Sequence, residues 1–502
     1  MKKFLSILLA AILCLGLLPT AFAESEPETV VFEGFLPMRI FEGRGDSEPE
    51  AYAAKEKEII DAIGVKPVPL WLPYGSETEK LNVLIADEST QLDLITTGNW
   101  DEYAKSGVIM PLNDLLEQYG QDILAAYSEF PGIWDYVTDS ATGNIYGVPR
   151  TLPLTQHPIW MREDWFKALG MEQPHTVAEL NTLVEKLYEA DPAGNGQTIP
   201  MLLDLDSVFY GLSGAYTKYG YGTWLDETDG RVKLGIMQDG MKDCIAQVAE
   251  WYEKGYVYQD SFTIDTTKVN ELITAGRVGV SLLIYSPICI NLPELQKTQP
   301  EANYVYSPDF SGEQGFAETC QAPSNSCMMI LARSEHPEAA MKYLNWFMDK
   351  TNFIGSYAGR LGIDWEWVNE DASTLIRLDT ETYDGEFYAF PNNLMLRYLN
   401  ILDSADEEPG LYTRFLTEDS YRTEGVKYCG DYGTMYSTAK MKELAPNKTD
   451  IDTMIQEEVT NFITGVRSMD EWDSFINDEL TAAGVDKVID AYTTLYNEQH
   501  AK

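Results

Sequence analysis

Residues 144–201 read NIYGVPRTLPLTQHPIWMREDWFKALGMEQPHTVAELNTLVEKLYEADPAGNGQTIPM, and this stretch decides the class of the fold. Residues 146–149 are predicted to end a short strand, because Pro149 disfavours a helical conformation at Val148 and a loop must follow. Residues 159–165 form a second apolar segment. The stretch therefore begins as a strand and a loop.

A capped helix completes the stretch. Thr176 followed three residues later by Glu179 forms a capping box, in which each side chain bonds a backbone N–H of the first turn. Behind this box, apolar residues recur at helical spacing, namely Leu180, Leu183, Val184, Leu187 and Tyr188. A strand, a loop and a helix form one unit of an α/β layer, and ligands bind such sheets beyond the strand ends.

The first hundred residues show the same alternation. We predict strands at residues 30–36, 65–72 and 91–95, a helix from Ser47 to residue 63 that ends at Gly64, and a second helix after Ser76. Strands that alternate with helices predict a parallel sheet covered on both faces. The third strand leads into the polar and aromatic loop Thr-Thr-Gly-Asn-Trp-Asp at residues 96–101.

Several motifs in a shared order carry a resemblance to one family. They are YGVP at 146–149, Arg162-x-x-Trp165, Lys167-x-Leu-Gly170, Pro174-x-Thr-x-x-Glu-Leu180, the loop at 96–112, Pro337-Glu-Ala with Leu344 and Trp346, and Ile463-Thr-Gly465 followed by Trp472, Gly484-Val and Tyr492. The chain resembles the extracellular solute-binding proteins of carbohydrate-type ABC importers, and among these the LipO-like lipoproteins. The motifs lie near both ends and in the middle of the chain.

The resemblance implies an α/β, two-lobed, type II periplasmic-binding-protein-like fold with a central ligand cleft and hinge crossovers. It places the first lobe at residues 24–148 with a return at 316–349, and the second lobe at 149–315. Residues 350–502 are expected to belong mostly to the second lobe and to supply C-terminal helices. The implied function is capture of a saccharide, favouring an oligosaccharide, by lobe closure, and its delivery to the transmembrane subunits of an ABC permease. A monomer is expected.

The chain starts with the pattern of a signal peptide. Lys2 and Lys3 precede an apolar run at residues 4–18, and Ala-Phe-Ala at 21–23 offers a cleavage site. The run is short for a transmembrane span, so export is expected. Cys14 lacks the small preceding residue of a lipobox, which leaves the means of surface attachment open.

The large excess of acidic residues argues against two classes of binding partner. The chain has 36 basic and 80 acidic residues, a formal net charge of −44. Removal of residues 1–23 would take away two lysines and leave 34 against 80, or −46. Nucleic acid and anionic lipid are unexpected partners, because both require basic patches.

Cysteines and histidines give no pattern of a metal site or a disulfide framework. Five cysteines follow residue 23, an odd number, although Cys320 and Cys327 could form a bridge in an oxidising compartment. Cys244 lies on the apolar face of a predicted helix and is expected in the core. Residues 191–196, DPAGNG, resemble part of a calcium loop, but residue 202 is Leu rather than Glu, which favours a tight turn at Asn195 and Gly196.

The sequence contains no recognisable catalytic motif. Gly-Leu-Ser-Gly-Ala at 211–215 lacks the glycine spacing of a nucleophile elbow, and the chain has no Gly-x-Gly-x-x-Gly, P-loop or His-Glu-x-x-His sequence. We therefore predict neither an enzyme nor a cofactor. A secreted glycoside hydrolase, which needs two carboxylates beside a sugar, and a peptide-binding transport receptor remain the alternatives.

Seven residues are candidate ligand contacts, namely Trp100, Asn99, Asp101, Trp160, Arg150, Tyr285 and Arg39. An indole can cover the C–H face of a pyranose, so Trp100 and Trp160 are predicted as stacking platforms, one from each lobe. Asn99 and Asp101 would bond hydroxyls beside Trp100. Each has an alternative role: core packing for the tryptophans, surface ion pairs for the arginines and loop packing for Tyr285.

Overall fold

The fold is described from a computed structural model of the chain. It describes residues 26–33, 49–70, 72, 77–128, 133–139, 141–320, 324, 326–358, 361–378, 400–402, 410–418, 427–428 and 438–500. The predicted signal peptide and Ser47 lie outside these residues, as does Ser76. Within the described ranges, no helix is long and apolar enough to cross a membrane.

The first sheet has five strands in the order β2-β1-β3-β14-β4. Their bounds are Glu28–Glu33 for β1, Val65–Leu70 for β2, Leu94–Thr97 for β3, Val148–Pro149 for β4 and Cys327–Ile330 for β14. β1 runs parallel to β2 and β3, as predicted, whereas β14 returns antiparallel between β3 and β4. We call this sheet and the helices on it the first lobe.

The second sheet has four strands in the order β10-β5-β9-β6. Their bounds are Trp160–Arg162 for β5, Ile199–Leu202 for β6, Val278–Ser281 for β9 and Tyr304–Val305 for β10. β6 and β9 are parallel, and β5 runs antiparallel to both β9 and β10. This sheet and its helices form the second lobe, so the chain has the predicted mixed α/β, two-lobed architecture.

Shorter strands complete the β-structure of the described residues. They are β7 (Trp224–Asp226), β8 (Arg231–Lys233), β11 (Ser311–Gly312), β12 (Gly315–Phe316), β13 (Thr319–Cys320), β15 (Trp365–Trp367), β16 (Thr374–Arg377), β17 (Asn400–Leu402) and β18 (Lys427–Tyr428). The last strands include a small three-stranded sheet in the order β15-β16-β17.

Helices cover both sheets. In chain order the α-helices are α1 (Pro49–Ile63), α2 (Glu77–Ala86), α3 (Trp100–Ser106), α4 (Asn113–Tyr119), α5 (Gln121–Tyr127), α6 (Glu163–Ala168), α7 (Val177–Ala190), α8 (Met241–Glu253), α9 (Thr266–Thr274), α10 (Ser286–Thr298), α11 (Pro337–Trp346), α12 (Lys350–Ala358), α13 (Leu411–Glu418), α14 (Thr438–Leu444), α15 (Lys448–Ile463), α16 (Trp472–Ser474), α17 (Leu480–Ala482) and α18 (Val485–His500). Short 3-10 turns lie at Ile133–Val137, Ser213–Ala215, Gly235–Met237 and Met469–Glu471, and π-helical turns at Ser207–Leu212 and Phe475–Glu479.

Local sequence explains the ends of the predicted helices. The side chain of Thr176 accepts a hydrogen bond from the backbone N–H of Glu179 at the start of α7, and Glu179 accepts one from the N–H of His175. The capping box is thus confirmed. α1 ends at Gly64, whose φ of 70° lies in the left-handed region that glycine adopts without a steric penalty.

Three apolar cores stabilise the lobes. One lies on the outer face of the first sheet and includes Leu92, Ile95 and Met329. A second lies on one face of the second sheet and joins it to α15 and α18 through Val459 and Val488. The third core is shared, because it contains residues of both sheets together with α13.

Cys244 lies in the second-lobe core, as predicted, and is fully buried. Cys289, Cys320 and Cys327 are also buried, and all four are free thiols. The bridge considered between Cys320 and Cys327 is therefore not formed in the structure. Cys429 lies outside the described residues.

One buried carboxylate connects three parts of the first lobe. Asp93 directly precedes β3, and its Oδ2 accepts hydrogen bonds from the backbone N–H of Val31 at 2.8 Å and from Gln91 Nε2 at 3.0 Å. Its Oδ1 accepts one from Ser334 Oγ at 2.5 Å. Since the Asp93 side chain bonds β1, the third strand begins after it, at Leu94, and not at residue 91 as predicted.

We expect Asp93→Ala to lower the free energy of unfolding by about 1.5–3 kcal/mol, because hydrogen bonds to a charged group are lost and the buried N–H of Val31 loses its acceptor. Urea denaturation monitored by circular dichroism measures the change. Asp87→Ala serves as a control, because the Asp87 carboxylate bonds Ser89 and Thr90 at an exposed turn. Equal effects of the two substitutions would contradict the proposed role of Asp93.

Candidate functional site

Two connections join the two sheets, residues 150–159 and residues 306–326, and the chain returns to the second lobe again after α12, because α15 and α18 belong to that lobe's core. The first leaves β4 and enters β5, and the second leaves β10 and enters β14. Because β14 is antiparallel to β3 and β4, its first residue, Cys327, lies opposite both Thr97 and Pro149 at their strand ends. The backbone N–H of Arg150 donates to the carbonyl of Ser326 at 2.8 Å. One edge of the first sheet thus carries both connections.

The second sheet has a matching edge. β5 begins at Trp160, which lies opposite Ser281 at the end of β9. The loop after β9 is bonded to the first connection, because the N–H of Tyr285 donates to the carbonyl of Gln156 at 2.9 Å. The carboxyl ends of the parallel strands β6 and β9 lie at this edge, and such ends are where open α/β sheets bind ligands.

A glycine pair brings both connections together. A Cβ atom added at Gly211 would lie 2.9 Å from the carbonyl oxygen of His157, in the first connection. One added at Gly214 would lie 2.5 Å from the carbonyl oxygens of Phe316 and Ala317, in the second connection. The motif at residues 211–215 therefore has a structural use, since only glycine permits so close an approach of backbones.

The candidate residues of the first lobe lie together at the end of β3. Trp100 begins α3, has 6% of its surface exposed and stacks on Tyr146 with ring centroids 6.0 Å apart. Asn99 is half-buried, and the buried carboxylate of Asp101 accepts a hydrogen bond from the N–H of Glu102 at 2.8 Å. The Trp100 indole is covered by the outer core of the first lobe in this conformation.

The candidate residues of the second lobe belong to a group of four aromatic side chains, Trp160, Tyr285, Tyr306 and Phe415. Phe415 of α13 stacks on Tyr285 at 5.0 Å and meets Trp160 edge-on at 5.8 Å. Tyr306 packs edge-on against Trp160 at 4.8 Å. Trp160 and Tyr285 are thus brought together, with Phe415 packed against both.

Two buried polar atoms at this strand edge, Trp160 Nε1 and Ser281 Oγ, have no hydrogen-bond partner among the described residues. Both residues are fully buried and lie opposite each other in antiparallel strands, which places their side chains on the same face of the sheet. A buried donor without an acceptor costs free energy, and other described residues, among them Trp224 and Thr319, carry such atoms as well.

Only one of the two candidate arginines, Arg150, lies in the described part of the chain. Arg150 is half-buried at the start of the first connection, and its backbone bonds the second connection through Ser326. Arg39 lies outside the described residues. Ser281 and Phe415 could not be singled out from the sequence, because neither a lone serine after an apolar run nor a phenylalanine on a helix is a specific signal.

Carboxylates and a buried imidazole lie at the end of β6. Desolvation and the neighbouring Asp204 raise the pKa of Asp206, whose side chain is nevertheless exposed. Burial lowers the pKa of His157 to about 4, and the nearby Asp204 opposes this shift only in part. His157 also joins the two connections, because its backbone N–H donates to Glu318 Oε1 at 3.0 Å.

A Ser-His-Asp contact on the surface is unsuited to catalysis. Ser307 Oγ and Asp309 Oδ1 both contact the same nitrogen of His175, Nδ1, at 2.6 and 2.8 Å. A catalytic triad needs the hydroxyl and the carboxylate on opposite ring nitrogens, so that the imidazole can accept a proton while the acid orients it. This contact therefore stabilises a turn.

The segment at residues 191–196 forms the predicted tight turn. Asp191 Oδ2 accepts a hydrogen bond from the N–H of Gly196 at 2.7 Å, and Oδ1 accepts one from the N–H of Thr198 at 3.1 Å. Asn195 has a φ of 57°, in the left-handed region. No group of three or more His, Cys, Asp or Glu side chains that could hold a metal ion occurs within the described ranges.

Comparison with known proteins places this geometry in context. A model of the family described as bacterial extracellular solute-binding protein matches residues 45–352 of the 502, which include strands of both sheets and both connections. The fructooligosaccharide ABC transporter substrate-binding protein FusA of Streptococcus pneumoniae is 27% identical over 221 residues, or 39% of this chain and 40% of FusA. Lipoprotein LipO of Bacillus subtilis is 22% identical over 301 residues, or 56% of this chain and 55% of LipO.

The chain thus spans about half the length of the curated relatives it matches. Structural similarity extends further. The N-glycan transport solute binding protein NgtS of Streptococcus pneumoniae superposes with a TM-score of 0.68 over 95% of this chain and 100% of NgtS, at 17% sequence identity. At this level of identity the similarity concerns the fold.

We expect acid to destabilise the connections through His157. Its pKa is about 4 in the folded chain and about 6.5 when unfolded, so between these values the unfolded state binds the proton and the folded state does not. Stability is therefore lost as the pH falls from 6.5 to 4, by about 3 kcal/mol in total.

The variant His157→Gln should show a smaller decrease in the free energy of unfolding between pH 7 and pH 4.5 than the unmodified chain. Urea denaturation at each pH measures it. His500→Gln, at an exposed position where the ring contacts the backbone carbonyl of Tyr496, is the matched control, and its effect on the pH dependence should be smaller than that of His157→Gln. An identical pH dependence in His157→Gln and the unmodified chain would show that His157 is not the responsible group.

Proposed function

Because the chain belongs to the bacterial extracellular solute-binding proteins, we propose that it captures an oligosaccharide between its two lobes and delivers it to the transmembrane subunits of an ABC permease. The observation that carries the proposal is the family match over residues 45–352, which includes strands of both sheets and both connections. The ligand that FusA is named for, a fructooligosaccharide, supports the saccharide class.

Capture requires a difference between open and closed states. A ligand that contacts both lobes binds the closed arrangement more tightly, and this differential affinity shifts the population toward closure. Two connections that are bonded to each other through Arg150 and Ser326 allow such a motion, because the lobes can rotate while the paired backbones stay together. No chemical step is required of the protein, and we propose that it has no catalytic activity.

For the lobes we propose the boundaries expected from the sequence, with the first at residues 24–148 and 316–349 and the second at 149–315. The observed sheets are compatible with this division, since β14 begins at Cys327 within the returning segment. We assign most of residues 350–502 to the second lobe, because α15 and α18 share its core. We also propose that residues 1–23 direct export and that the chain acts outside the cell membrane as a monomer.

We propose two groups of ligand contacts. Trp100, Asn99 and Asp101 form the group of the first lobe, and Trp160 and Tyr285 that of the second. In the conformation described here both indoles are covered by protein, so stacking on a sugar would require the lobes or α13 to move. Arg150 and Arg39 are proposed to bond hydroxyls or a uronate carboxylate, which suit the planar guanidinium.

A thermal-shift screen tests the function. The panel should contain fructooligosaccharides, mannose-containing N-glycan fragments, oligogalacturonates and peptides. At 100 times its dissociation constant, a true ligand adds about 2.7 kcal/mol to the stability of the folded chain and so raises the melting temperature. We expect a saccharide hit, with no release of reducing sugar from it. A response limited to peptides would favour a peptide receptor, and hydrolysis of the hit would favour a glycoside hydrolase.

Trp160→Phe tests the contact in the second lobe. The substitution keeps an aromatic ring but removes Nε1, which we propose bonds a ligand hydroxyl, so affinity for the saccharide hit should fall by about 0.5–1.5 kcal/mol. Isothermal titration calorimetry measures it. Trp251→Phe is the matched control, because Trp251 is equally buried but its Nε1 already bonds Asn181.

Trp251→Phe should change stability and leave affinity unaltered. Unchanged affinity in Trp160→Phe would show that Trp160 Nε1 does not bond the ligand and that the side chain serves only to pack the core. Trp100→Phe is measured in the same way. A lower affinity would support stacking of Trp100 on the ligand, and an unchanged affinity would support a packing role in the first lobe.

A further inference from the structure

Two ion pairs join α3 of the first lobe to α14 near the C-terminus. Lys442 Nζ lies 2.5 Å from Glu102 Oε1, and Lys105 Nζ lies 3.9 Å from Glu443 Oε2. Each helix contributes one acid and one base, so α3 supplies the acid of one pair and the base of the other. In a chain with 80 acidic and 36 basic residues, this alternation avoids the repulsion that two acidic helices would experience.

The two helices belong to different lobes. α3 is attached to the first lobe through Trp100, which is buried in that lobe's outer core with Ile95. α14 is attached to the second lobe through Met441 and Ala445, which are buried with residues of α15 and α18. The charged pairs therefore join the two lobes through side chains rather than through the backbone.

Building on the lobe motion proposed above, we propose that Glu102, Lys105, Lys442 and Glu443 form an electrostatic latch that favours the arrangement of the lobes in which α3 and α14 are in contact, which is called closed here. All four side chains are 40% or more exposed. Exposed pairs contribute little and are screened by salt, which suits a contact that must open and close repeatedly. α3 also begins with Trp100 and Asp101, so the latch acts on the same helix that carries the proposed first-lobe contacts.

The latch does not depend on the identity of a ligand, because the charged side chains contact each other directly. Its failure and the failure of saccharide capture can therefore be distinguished. The test uses the ligand-free chain, and small-angle X-ray scattering of it gives the ratio of closed to open molecules by fitting two states.

Loss of one pair should reduce the closed-to-open ratio by about 1.4- to 5-fold, the range expected for an exposed ion pair. Glu102→Lys should reduce it further, since the introduced ammonium group would face Lys442 with like charge. Lys442→Glu should act in the same way. The double variant Glu102→Lys/Lys442→Glu reverses the pair and should restore the ratio of the unmodified chain.

Asp61→Lys is the matched control. It changes the net charge by the same amount and breaks the pair between Lys57 and Asp61, which lie within one helix of the first lobe. We expect no change in the closed-to-open ratio. Melting temperatures and circular dichroism establish that every variant is folded.

Ionic strength provides a second measurement. Raising sodium chloride from about 20 mM to about 500 mM shortens the screening length severalfold, so the difference in closed-to-open ratio between the unmodified chain and Glu102→Lys should become smaller. The double variant should follow the unmodified chain at each salt concentration. The latch is refuted if Glu102→Lys leaves the ratio unchanged, if the double variant does not restore it, or if Asp61→Lys opens the lobes equally.

Discussion

The structure depends on one topological constraint, which is that β14 returns from the second lobe and inserts antiparallel between β3 and β4. The first sheet cannot be completed until the chain has built the second sheet and come back. Two connections must therefore lie side by side at one edge of each sheet. The strand ends, where an α/β sheet offers polar loops, are brought to the same edge by the same pairing.

The buried polar groups near this edge show how the fold holds two connections in place while the lobes remain distinct. Gly211 and Gly214 admit the backbones of both connections, and the N–H of His157 bonds Glu318 across them. These contacts are within van der Waals or hydrogen-bond range and tolerate little displacement. The exposed pairs between α3 and α14 are of the opposite kind, because water and salt can replace them readily.

The polar groups also differ in whether they have hydrogen-bond partners. Both carboxylate oxygens of Asp93 and of Asp191 accept hydrogen bonds, from backbone N–H groups at Asp191 and from the N–H of Val31, Gln91 Nε2 and Ser334 Oγ at Asp93, which indicates a structural role. Trp160 Nε1 and Ser281 Oγ lack partners within the described residues. Each lies at a strand end of the second lobe, and their lack of partners is the observation from which the second-lobe contact is proposed.

Sequence by itself determined what depends on near neighbours along the chain. The capping box at Thr176 and Glu179, the end of α1 at Gly64 and the turn at Asn195 follow from local hydrogen bonds and backbone angles, and motif order was sufficient to indicate the family. Tertiary structure decided the rest. The start of β3 depends on Asp93 bonding a strand 62 residues away, and the burial of Trp100 and Trp160 depends on Tyr146 and Phe415 packing against them. An aromatic residue at a strand end suits both a ligand face and a core, and only the distant segments that cover it distinguish the two.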